Sequence, residues 1–256
     1  MPTFTFLIGS TDPEVYSLTD DVERPDGNIP LDRVIELAGQ DPIWANRGKA
    51  IQGYAQLEYS LCRLLEFWGD MSNVTASTVF YKIVSTSARI SILEKLLHRK
   101  HGSTFNLFWN SLVKELRQID TERNEIVHWL SAANSILNDK NVLLVGVTLI
   151  PPASVGDNQA TPLRITSKDL NAFEKKCDEF ARLLAMFAAV CKPLEGFTPE
   201  LQSTWRGIFQ QPLVYPLPAG HPLFQMPKAP DSQPQSSQAS VPPASWWFPV
   251  PWFPAP

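Results

Sequence analysis

STFNLFWNSLVKELRQIDTERNEIVHWL, residues 103–130, carries apolar side chains at Phe105, Phe108, Leu112, Leu116, Ile119, Ile126 and Leu130. Steps of three, four and seven are the spacing of one helix face, so the stretch predicts a long amphipathic helix capped by Ser103 or Thr104. Arg123 stands on that apolar row between Ile119 and Ile126. A guanidinium there needs an acceptor. Asn124 and His128 are four apart and share a face, with Arg123 offset by about 100° from Asn124.

Upstream, Asp41-Pro42 reads as an N-cap followed by a first-turn proline. The helix it opens has a stripe of Ile51, Tyr54, Leu61, Leu65 and Trp68. Glu58 lies on that stripe. It either reaches solvent at the edge or serves as the acceptor for Arg123. A third helix is expected over residues 76–100, with Val79, Ile83, Ile90, Leu93 and Leu97 toward the core. It closes on His98-Arg-Lys-His-Gly102, a basic last turn that suits the helix dipole better than it suits a metal. Before all of these, residues 3–8 resemble a short strand, and 32–38 a short helix ending at Gly39.

Downstream, Val142-Leu-Leu-Val-Gly-Val-Thr-Leu-Ile150 is rich in strand formers, with Leu163 to Thr166 as the expected partner strand. Thr166-Ser-Lys-Asp169 resembles a capping box. It introduces a helix through Leu170, Phe173, Cys177, Phe180, Leu184 and Phe187 that ends before Pro193. The expected fold is all-α, a bundle of four or more helices with a small β-hairpin before the last one. The expected division is an N-terminal extension (1–41), a helical domain (42–195), a connecting segment (196–211) and a disordered tail (212–256).

The tail holds 13 of the chain's 23 prolines and a Ser/Gln run over 232–240. Its end contains Trp246, Trp247, Phe248, Trp252 and Phe253, aromatics uncommon in a merely solubilising segment. They are candidates for docking into a partner's groove or onto the domain's own surface.

The net charge of −4 and pI of about 5.6 argue against a protein that grips nucleic acid by bulk charge. Cys62, Cys177 and Cys191 are odd in number, lack CxxC spacing and fall in helical patterns, as reduced buried thiols would. No signal-peptide pattern and no membrane span is apparent, so the expected location is the cytoplasm. Phosphate-loop, dinucleotide, HExxH and GxSxG motifs are all missing, and no metal or cofactor is expected. What remains is Arg123-Asn124…His128. Arginine neutralises phosphoryl oxygens, an amide orients an imidazole, and histidine moves protons near neutral pH.

Arg-Asn-Glu-Ile-Val-His resembles the signature of the HEPN superfamily, an arginine and a histidine a few residues apart with a polar residue, often Asn, after the arginine. Gly53-Tyr-Ala-Gln-Leu-Glu-Tyr-Ser-Leu-Cys62 resembles the family's early core helix. The resemblance covers residues 42–192. It implies a HEPN-like bundle acting as a metal-independent endoribonuclease, often of a toxin–antitoxin or antiphage defence system. It implies a homodimer whose motifs share a cleft, with RNA as substrate and an antitoxin or other protein as partner. Arg123 would hold the phosphate, Asn124 orient the site and His128 transfer protons, leaving a 2′,3′-cyclic phosphate. The family also includes non-catalytic dimerisation and binding modules. Trp129-Leu130 after His128 departs from the small or tyrosine-bearing continuation often seen there.

Overall fold

A computed structural model describes residues 38–39, 41–137, 143–152, 164–192 and 198–225. The expected strand at 3–8, most of the expected helix at 32–38 and the aromatic end of the tail lie outside the described residues. The described chain is mostly helical: α1 (Ile43–Gly69), α2 (Asn73–Lys82), α3 (Thr86–His101), α4 (Asn106–His128), α5 (Ser167–Cys191), α6 (Pro199–Ile208) and a single turn, α7 (Pro222–Gln225). One antiparallel hairpin, β1 (Leu130–Leu137) with β2 (Leu143–Ile150), sits between α4 and α5.

The chain divides into two compact units at residue 218. In the second, the described residues form the α7 turn, where the Leu223 amide donates to His221 Nδ1 at 3.2 Å. Everything below concerns the first unit.

α1 is the central helix. It buries Ala50, Leu57, Leu61, Leu64 and Trp68 along its length, while Ile51, expected on the stripe, is 42% exposed. Against it lies α5, with Phe173, Cys177, Phe180, Leu184 and Phe187 buried as their spacing predicts. The two helices approach closely at Gly53. A methyl there would stand 3.4 Å from the Glu174 carbonyl oxygen and from Cys177 Cβ, close to van der Waals contact, so a methyl would just fit and a larger side chain would meet α5. Burial pushes the Cys177 thiol up to about 12, and Cys62, Cys177 and Cys191 are all free.

Five rings gather around Phe187: Trp68 of α1, Phe105, Phe108 and Trp109 around the start of α4, and Phe209 after α6, with centroids 4.9–6.4 Å away. Most are edge-on or tilted, the arrangement that ring quadrupoles favour. Trp205 stacks on Phe209 and is 1% exposed. Residues 196–211, expected as a connector, therefore include a helix whose apolar side completes the core. Thr198 caps it and Pro199 opens it, a start signal legible in the sequence. Packing also continues past 212. The Leu213 amide donates to Ser111 Oγ at 2.7 Å, and the Tyr215 ring lies 5.2 Å from Phe180. The domain boundary falls later than residue 195.

Three local expectations are corrected. The expected 76–100 helix is two helices broken at residues 83–85. The β-branched pair Ile83-Val84 leaves the helix, and Ser85 caps α3 by accepting from the Ala88 amide. Arg89 donates to the Phe80 and Ile83 carbonyls that end α2, so the break is satisfied rather than frayed. The partner of β2 is chiefly Leu130–Leu137, not residues 163–166, although Leu149 and Ile165 form a single bridge on the other edge. Ser, Ala and Asn give β1 weak strand preference, and pairing to β2 supplies what its own residues lack. Finally, α4 starts at Asn106 with Phe105 at the cap position and no side-chain cap, and it stops at His128. Leu130, expected on its apolar face, begins β1 and is 49% exposed. The Thr166–Asp169 capping box is present as expected.

Trp205→Ala should lower the unfolding free energy in urea by about 3–5 kcal/mol, the usual cost of truncating a large buried aromatic. Leu201→Ala, at a 40% exposed position of the same helix, should cost less than about 0.5 kcal/mol. Equal small effects would place α6 outside the core.

Candidate functional site

The end of α4 carries the Arg123–His128 segment, and α1 runs antiparallel beside it. Arg47 meets residues 126–129, Tyr54 meets Asp120 and Arg123, and Trp68 meets Trp109. Asn124 and His128 are exposed and Arg123 is half-buried. Arg123 Nη1 donates to Asn124 Oδ1 at 2.9 Å, and its guanidinium carbon sits 5.2 Å from the centre of the Tyr54 ring. The guanidinium is thus held against α1 with most of its five donors still available.

Glu58 does not partner Arg123. Its carboxylate pairs with Arg89 of α3, and both side chains are largely buried. Arg123 lies on the Tyr54 ring instead, an aromatic face in place of the expected acceptor. Glu58 thus neither turns out to solvent nor serves Arg123, the two alternatives its stripe position left open; its partner comes from a different helix. Beneath Arg123, the Tyr54 hydroxyl donates to Asp120 Oδ1 at 2.7 Å, and Thr86 donates to the same oxygen at 3.1 Å. Burial, then the Asp120 hydrogen bond, push the Tyr54 hydroxyl well above its ordinary value of 10.0.

Arg47 had no place in the sequence-based expectation. Its Nε donates to the Ile126 carbonyl at 2.9 Å, and its Nη2 to those of Val127 and Trp129 at 3.0 and 3.2 Å. The only available signal was position: Arg47 stands one step before Ile51 on the row that continues to Tyr54 and Glu58. Its neighbours in the same region anchor other elements. Asp41 accepts from the Ile43 amide at 2.8 Å and from the Val147 amide of β2 at 2.9 Å. Asn46 donates to Ser167 Oγ at the start of α5, at 2.7 Å.

A cleft of about 370 Å³ opens on another side of α4, lined by Glu122, Glu125, Ile126, Phe173, Lys176 and Tyr215 among others. Lys176 is buried there, 3.5 Å from both Glu115 and Glu122 and 5.3 Å from the Tyr215 ring centre. On a regular helix Asn124 and His128 point roughly 110–150° away from this cleft. The motif therefore faces a separate, open surface. Exposed apolar side chains occur on the neighbouring elements: Trp44 and Ile51 on the row of α1 that contains Arg47, each 42% exposed, and Leu130 just past His128.

No family model matches the chain, and no curated protein or solved structure is similar enough to register as a match. Among the described residues no cluster of His, Cys, Asp and Glu could hold a metal ion, and no helix is long and apolar enough to cross a membrane. His98 and His101 sit in the last turn of α3, where the His101 ring lies 5.5 Å from that of Phe105.

Tyr54→Phe leaves Asp120 with Thr86 alone and should cost about 1–2 kcal/mol near neutral pH, read from urea unfolding. Folded Tyr54 keeps its proton where the unfolded phenol loses it. Wild-type stability should therefore fall as the pH rises above 10, and Tyr54→Phe should fall less steeply there. Parallel pH curves for the two proteins would contradict the buried phenol.

Proposed function

We propose that this chain is a HEPN-like, metal-independent endoribonuclease that cuts RNA at a site built from Arg123, Asn124 and His128. The observation carrying the proposal is the presentation of the motif. An arginine is braced on Tyr54 and tied to Asn124, and an exposed imidazole stands one turn beyond that amide on the same face.

The chemistry is a transesterification. The ribose 2′-oxygen attacks phosphorus, the bond to the 5′-oxygen breaks, and the products carry a 2′,3′-cyclic phosphate and a 5′-hydroxyl. Arg123 neutralises the phosphoryl oxygens as charge builds on them. His128 takes the 2′-hydroxyl proton or gives one to the leaving 5′-oxygen. Arg123 and His128 are five residues apart, about 140° around and 7.5 Å along a regular helix. One chain offers its two groups in different directions, so a homodimer that turns two motifs toward one another suits a shared phosphate better than a single copy does. Exposed Trp44, Ile51 and Leu130 beside the motif give such a pair an apolar margin. A role in toxin–antitoxin or antiphage defence, with an antitoxin as partner, belongs to this same proposal.

A second reading is a HEPN-like module that dimerises or binds a partner without cutting RNA. It draws on the acidic setting, with Glu122 and Glu125 lining the neighbouring cleft on α4 and a net charge of −4. That setting resists the close approach of a polyanion.

Incubating the full chain with single-stranded RNA in EDTA should give cleavage that drops at least about 100-fold in both Arg123→Ala and His128→Ala. Equal cleavage by all three proteins would remove the ribonuclease claim. No cleavage at all, with a dimer that survives His128→Ala, would leave the binding module in its place.

A further inference from the structure

We infer that Arg47 is the positioning residue for His128, setting where the imidazole stands by holding the backbone on both sides of it. The inference rests on the ribonuclease proposal for its consequence in catalysis, though not for its geometry.

The last carbonyls of an α-helix have no partners within the helix. Many helices solve this with a glycine in the left-handed conformation, whose amides fold back onto them. α4 has no such residue. Trp129 is extended, with φ −74° and ψ 146°, and the chain passes directly into β1 at Leu130. Arg47 supplies the missing donors from another helix, reaching Ile126, Val127 and Trp129. The contacts to Val127 and Trp129 bracket His128. A flat guanidinium with donors at fixed angles suits three neighbouring carbonyls; a lysine ammonium, a single point on a flexible stem, does not.

His128 depends on this hold because its ring has little else to fix it. The residue is exposed, and its side chain makes no hydrogen bond or ring contact among the described residues. Its direction follows from the backbone at the helix end. Arg47 is itself well anchored, because Asp41 ties the start of α1 to β2 and Asn46 ties it to α5. Seven residues further along α1, Tyr54 supports Arg123. One helix thus sets both ends of the motif, and two turns of α1, about 10.5 Å, act as the ruler between them.

The test uses the full chain as wild type, Arg47→Lys and Lys49→Ala, the last an exposed control on the same helix. Three quantities are read: the NMR resonances of the His128 ring, hydrogen exchange at the Trp129 and Leu130 amides, and kcat and KM for RNA cleavage. In Arg47→Lys the His128 resonances should shift and the two amides exchange faster. kcat should fall by about 10- to 100-fold, with KM changed less than about threefold, as expected for a displaced but intact group. Lys49→Ala should match wild type throughout. Faster exchange with an unchanged kcat and unmoved His128 resonances would reduce Arg47 to a structural staple and overturn the inference. If wild type turns over no RNA, the ribonuclease proposal falls by itself. The His128 resonances then decide Arg47 alone, and no shift in Arg47→Lys overturns its positioning role.

Discussion

Arg47 closes a helix from outside that helix. Its three hydrogen bonds give donors to the carbonyls of Ile126, Val127 and Trp129, where the chain turns from α4 into β1. Asp41, just before α1, and Asn46, within it, act beside Arg47, one holding the amide of Val147 and the other the hydroxyl of Ser167. Residues 41–47 therefore gather the hairpin, the end of α4 and the start of α5 at one corner. The geometry of the motif follows from that corner, because His128 lies at its edge.

The opposite end of the bundle is held by different physics. Phe187 collects rings from α1, α4 and the segment after α6. Burial of that aromatic cluster is the larger source of stability, since each large side chain removed from water contributes on the order of 1.5–3 kcal/mol. The polar corner adds direction and register. A bundle secured at its aromatic end can leave the motif face open, with Asn124 and His128 in solvent, without losing its core.

Periodic apolar spacing made α1, α4 and α5 legible in the sequence, and Thr166–Asp169 marked the start of α5 because a capping box is a local signal. The break between α2 and α3 was harder. It depends on Arg89 reaching back to two carbonyls, a tertiary contact that helix spacing does not contain. β1 escaped notice because Ser, Ala and Asn dilute its pattern and only β2 makes it a strand. Trp205 and Phe209 stood in plain view, but nearby prolines drew the boundary too early. At the candidate site the order Arg123-Asn124…His128 was readable, while the partners were not. Glu58 was offered to Arg123 by stripe position, whereas its partner is Arg89; Arg47 was marked only by its place on the α1 row, and nothing marked Asp120.

On the proposed ribonuclease reading, an acidic protein with a small cationic site would attract RNA locally, through Arg123, rather than by its overall field. That reading also commits to one chemical outcome, because a 2′-oxygen nucleophile would leave its mark on the product. The most direct measurement is therefore the end group of RNA cut by the full chain in EDTA, read by mass spectrometry. The account predicts 2′,3′-cyclic phosphate and 5′-hydroxyl ends that disappear with His128→Ala. Ends bearing a 3′-hydroxyl and a 5′-phosphate, or cyclic ends that persist in His128→Ala, would contradict it.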